Sequence, residues 1–62
     1  MTIDHICFAV RNLQEGIDYW NNVFGYRQMT EIITNSLQKV KVTFLQKEGS
    51  ILIKLIEPLE TN

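Results

Sequence analysis

The chain reads as an α+β domain: one helix and four strands in the order strand, helix, strand, strand, strand, or βαβββ. Three observations predict this. Residues 2–10 are rich in Ile, Val and Phe and end where a helix start begins. Residues 12–25 carry apolar side chains at helical spacing between an asparagine and a glycine. Three more β-rich runs follow, separated by polar or glycine-containing breaks. One helix covers only one face of a four-stranded mixed sheet. The other face is then left to a second module, with which it would form a cleft.

The first run holds the only histidine and the only cysteine of the chain. Side chains alternate across a strand, so Ile6, Phe8 and Val10 share one face while Ile3, His5, Cys7 and Ala9 share the other. The first set is uniformly apolar and is expected to face the helix. The second mixes an imidazole and a thiol with small or apolar neighbours, as a cleft wall would. A single histidine on a strand also serves commonly as a hydrogen-bonded structural residue, and a single cysteine as a small hydrophobe.

The helix should open at Asn12, a good N-cap, with Glu15 placed to complete a capping box. Leu13, Ile17, Trp20, Val23 and Phe24 make its apolar stripe, which is expected to bury Trp20 against Phe8, Val10 and the sheet. Gly16 lies inside the helix at a cost of about 1 kcal/mol relative to Ala, which a close approach to the sheet would explain. Gly25 should end the helix in left-handed conformation.

Residues 26–33 read as the second strand and residues 34–36 as a turn. Residues 39–45 form the third, with Val40, Val42 and Phe44 on one face and Lys39, Lys41 and Thr43 on the other. Glu48, Gly49 and Ser50 signal a hairpin turn into the fourth strand, residues 51–56. There Ile51, Ile53 and Leu55 should face the helix, and Leu52, Lys54 and Ile56 the open side. Pro58 ends the strand, and residues 59–62 form a tail.

A chain of 62 residues is one domain at most, and one of this size buries only about 60% of its unfolded surface. With one cysteine there is no internal disulfide, and no clustered Cys/His pattern suggests a structural zinc. Oligomerisation, as a homodimer or with a second module, is the remaining common remedy. The net charge of −1, with both signs mixed along the chain, gives no footprint for nucleic acid or an anionic membrane. No apolar run reaches transmembrane length and no basic n-region precedes one, so a cytoplasmic protein is expected.

Residues 3–10, then Asn12-Leu13, Tyr19-Trp20 and Phe24-Gly25-Tyr26, resemble the opening of a vicinal oxygen chelate module of the glyoxalase/bleomycin-resistance/dioxygenase type. The runs 40–45 and 53–59, ending Glu57-Pro58-Leu59, are most similar to the methylmalonyl-CoA epimerase branch. The resemblance implies that residues 1–62 form a single half module of βαβββ order. It also implies an isomerase (epimerase) or lyase, in which a divalent metal (Co, Mn, Ni or Zn) assists proton abstraction next to a carbonyl. Two modules would pair around that metal, each giving one ligand from its first strand and one from its last.

The first-strand position matches His5, which the resemblance makes the metal ligand. The last-strand position falls on Lys54, where the epimerases carry Glu or Gln. A lysine ammonium has no lone pair and adds positive charge beside a metal, so Lys54 speaks against that metal. Lys54 would instead face the substrate cleft and hold a carboxylate or a thioester oxygen, or simply be a solvated side chain snorkelling past Leu52 and Ile56. Glu57 falls on the opposite face by parity and is not a substitute ligand. No catalytic residue is assigned, since the family's catalytic acid belongs to a second module. The alternative function is a metal-free module of the same fold, for small-molecule binding or dimeric assembly. The small-molecule ligand that the resemblance suggests is an acyl thioester.

Overall fold

A computed structural model describes residues 5–59. The expectations for residues 2–4 of the first strand and for 60–62 of the tail lie outside the described residues. The elements are β1 (His5–Ala9), α1 (Leu13–Phe24), β2 (Arg27–Gln28), β3 (Ile33–Asn35), β4 (Val40–Gln46) and β5 (Leu52–Pro58). The strands run β1-β5-β4-β2 across one sheet, with β3 also on β4. β1 lies parallel to β5, and the other pairs are antiparallel. This is the expected α+β arrangement with a mixed sheet and one helix. Among the described residues, no helix is long and apolar enough to cross a membrane.

The helix begins as its sequence requires. Asn12 is extended, and its side-chain oxygen accepts from the Glu15 backbone N–H at 2.9 Å. A second acceptor comes from far along the chain, where the Glu57 carboxylate takes the Leu13 backbone N–H at 2.7 Å. The last strand thus caps the helix and places negative charge at its positive end. At the other end Gly25 has φ 75°, and its N–H donates to the Asn21 carbonyl. Lys47, from the β4–β5 turn, reaches over Gly25 and puts an ammonium by the carbonyl end of the helix.

Gly16 is where helix and sheet touch. A Cβ there would stand 3.2 Å from Leu55 Cδ1 and 3.3 Å from Val10 Cγ1. Around this contact the core gathers Leu13, Ile17, Tyr26, Leu45, Ile53 and Leu55, with Thr43 buried beside them. The apolar stripe of the helix does not stay inside along its whole length. The helix lies over β5, β4 and β2 rather than β1, so Val23 and Phe24 are exposed. Ile6 and Phe8 occupy the helix side of β1, in register with Ile53 and Leu55, yet remain exposed for the same reason.

Trp20 is half-buried rather than buried, packed against Phe8, Phe24 and Tyr26 at centroid distances of 5.4, 4.8 and 5.3 Å. Trp20→Ala is therefore expected to cost about 2 kcal/mol, roughly half the price of a fully buried indole. Chemical denaturation measures it, and an unchanged midpoint would show that the ring cluster contributes nothing.

The expected second strand, 26–33, is broken into β2 and β3. Residues 29–32 stand opposite only two β4 residues, Thr43 and Phe44, and bulge out of the edge. Thr30 causes the break. Its hydroxyl accepts from the Phe44 N–H at 3.2 Å, and its carbonyl accepts from the buried Thr43 hydroxyl at 2.9 Å. A side chain here takes the place of a strand backbone. The turn expected at 34–36 falls instead after Asn35, and Lys39 leaves it with φ 58°.

Candidate functional site

Strand parity carries His5, Cys7 and Ala9 of β1 and Leu52, Lys54 and Ile56 of β5 to the sheet face away from α1, as expected. The register refines their neighbourhood. Cys7 pairs with Lys54 and His5 with Leu52, so the imidazole stands diagonally from the Lys54 side chain. On the other side Lys54 pairs with Phe44 of β4, and its Nζ lies over the Phe44 ring at 5.8 Å from the centroid. The quadrupole of the ring draws the ammonium to its face. Phe44 thereby holds Lys54 across the sheet, half-buried, rather than out in solvent.

Phe44 was not foreseen as a site residue, nor were Val42 and Ile33, which extend the same face through the pairs Val42–Ile56 and Ile33–Val42. The centre of the face is thus an apolar floor crossed by a short polar row, His5 and Cys7, both exposed, and Lys54, with Arg27 and Gln46 towards its far edge. Glu57 is absent from it, since its carboxylate is spent on the helix cap.

The row can bind an anionic or carbonyl oxygen through Lys54 and offer or accept a hydrogen bond through His5. As a metal site it does not fit. One imidazole and an ammonium are not the donors a hard divalent ion takes, and among the described residues no group of three or more His, Cys, Asp or Glu is placed to hold one.

These elements define the class: a βαβββ module with a polar row on its open face. Residues 4–62 match the model of the Glyoxalase/Bleomycin resistance protein/Dioxygenase superfamily, and the chain belongs to that superfamily. No match is found among curated proteins. Among solved structures, methylmalonyl-CoA epimerase from Mycobacterium tuberculosis matches with a TM-score of 0.79 and 28% identity over 92% of this chain and 38% of the other. A hypothetical protein from Bacillus halodurans C-125 matches with a TM-score of 0.79 and 27% identity, over 95% of this chain and 41% of the other. A variant of Streptomyces coelicolor methylmalonyl-CoA epimerase, in complex with 2-nitronate-propionyl-CoA, shares the fold with a TM-score of 0.79 at 22% identity, over 94% of this chain and 44% of the other. The chain spans less than half the length of each of these structures.

Proposed function

We propose that the chain is an epimerase-like half module that binds the carbonyl end of a small acyl thioester, with Lys54 as the cationic contact. The observation that carries this reading is the Lys54 ammonium held over Phe44 among the apolar side chains of Leu52, Ile56 and Val42 on the open face. A thioester or carboxylate oxygen finds there a fixed positive charge, and its acyl chain finds an apolar floor. The superfamily membership and the epimerase neighbours support the ligand class. A second module, as homodimer or separate chain, completes the cleft, and a cytoplasmic location suits the exposed thiol.

A second reading, metal-assisted proton abstraction next to a carbonyl, draws on one observation, the exposed imidazole of His5 on the same face. It needs the remaining donors from another module, because this chain supplies none at Lys54.

Titration calorimetry with propionyl-CoA tests the first reading. Binding is expected for the unaltered chain, weakened about tenfold or more in Lys54→Ala, as for a charge-assisted hydrogen bond. Equal affinity of the two proteins would remove Lys54 from the site, and no binding by either would end the proposal.

A further inference from the structure

Two registers meet along the outer side of β4. β2 pairs Arg27 with Gln46 and Gln28 with Leu45, while β3 pairs Ile33 with Val42, so β3 is two residues out of step with β2. The first register does not stop at Gln28. The Met29 N–H donates to the Phe44 carbonyl at 2.7 Å, and the Thr30 and Thr43 hydroxyls lie 3.5 Å apart. In an unbroken antiparallel ladder the Phe44 N–H would return a bond to the Met29 carbonyl. It donates instead to the Thr30 hydroxyl at 3.2 Å, while the Thr30 carbonyl accepts from the Thr43 hydroxyl at 2.9 Å. One residue therefore turns the strand out of its register.

Without that turn β2 would run on, with Thr30 opposite Thr43, Glu31 opposite Val42 and Ile32 opposite Lys41. Residues 26–33 have the composition of one such strand, and residues 34–36 that of its turn. A slip of one residue would send every side chain to the other face, but a slip of two keeps each on its own. The longer turn would also release Lys39 from φ 58°, a left-handed backbone that a lysine adopts at a cost. On the open face Glu31 would take the place of Ile33 opposite Val42. Ile33 is 54% exposed there and gives up little burial.

We propose that the edge segment 29–35 moves between these two registers, and that the second brings the Glu31 carboxylate to the Lys54 ammonium, closing the polar row to other anions. The Lys54 Nζ lies over Phe44. Phe44 would then be the diagonal neighbour of Glu31, about 7–8 Å away, a gap that a glutamate side chain reaches across. Opposite charges at that separation attract. Competition with a thioester rests on the function proposed above; the two registers and the Glu31–Lys54 contact do not.

Cysteine pairs trap each register in a Cys7→Ser background. Thr34→Cys with Lys41→Cys matches the present register, in which the two residues are partners, and Ile32→Cys with Lys41→Cys matches the second. Partners stand about 4.5–5.5 Å apart, within the roughly 4.4–6.8 Å that a disulfide spans. In the wrong register either pair is a diagonal of about 7–8 Å. Both links are expected on mild oxidation, the second about tenfold faster when Thr30→Val removes the hydroxyl's bonds. Acetylation of Lys54 by acetic anhydride, read by peptide mass spectrometry, should be about two- to fivefold slower in the second trapped chain than in the first. Glu31→Gln should restore it. No link between positions 32 and 41, with Thr30 or with Thr30→Val, would overturn the two registers. Equal acetylation in the two trapped chains, or no effect of Glu31→Gln, would overturn the contact. If the cysteine variants fail to fold, nuclear Overhauser contacts in Thr30→Val alone decide: a contact of Ile32 with Lys41 supports the second register, and its absence overturns it.

Discussion

Leu55→Ala is expected to leave little of the fold standing. Leu55 is 0% exposed and sits at the closest approach of helix to sheet, 3.2 Å from where a Cβ on Gly16 would be. The missing side chain at Gly16 lets Leu55 and Val10 approach the helix, so the cavity left by the loss of Leu55 faces a helix position with no side chain to fill it. Truncating a buried leucine costs about 2–5 kcal/mol, more where the site collapses poorly. The whole stability of a chain of 62 residues is on the order of 3–9 kcal/mol at about 0.05–0.15 kcal/mol per residue. Urea denaturation should show the midpoint lowered by about 1 M or more. Leu37→Ala is the control, since Leu37 is 94% exposed and should change stability by no more than about 0.5 kcal/mol. If the two variants denature alike, the core is elsewhere.

Lys54→Glu is expected to give the largest change in binding behaviour. The substitution puts a carboxylate where the ammonium stands, on the same face as His5 and two residues along the neighbouring strand from its partner Leu52. Two copies would then offer two imidazoles and two carboxylates, a donor set suited to a divalent ion. Calorimetry with cobalt or manganese should show no tight binding by the unaltered chain and stoichiometric binding by Lys54→Glu. Adding His5→Ala to that variant should abolish the gain. Tight binding by the unaltered chain that survives His5→Ala would show that the metal is held by other residues.

The parts of this fold that depend on local chemistry were legible in the sequence. Asn12, Gly16 and Gly25 each gave a helix boundary or contact, because caps and close approaches demand particular residue types. The shared face of His5, Cys7 and Lys54 followed from a period of two within β1 and β5. Which face of β4 lies under the helix did not follow. The Ser50 N–H donates to the Lys47 carbonyl, and a hairpin closed on that bond alone would set Leu45 opposite Leu52, on the open side. The extra residue is Ile51, whose carbonyl accepts from the Tyr26 hydroxyl at 2.7 Å. It shifts the ladder by one, pairs Leu45 with Ile53, and turns Leu45 and Thr43 into the core and Phe44 out to Lys54. The hydrogen bond that holds this extra residue spans 25 residues, and no local window of sequence contains it. The break at residues 29–32 was hidden likewise, because Thr30 has the propensity of a strand residue and departs from one only through its bonds to Thr43 and Phe44.

The adjacency of β1 to β5 also sets an order of events in folding. The β4–β5 hairpin needs only a short loop to close, whereas Cys7 meets Lys54 only after a loop of about 47 residues is closed, at an entropic cost of about 3 kcal/mol. The bond from Leu13 to Glu57 and the contact of Gly16 with Leu55 likewise wait until β5 is in place. The hairpin therefore condenses first and gives the helix a surface to dock on. β1 is expected to join after the hairpin, because β5, its strand partner among the described residues, lies so far along the chain.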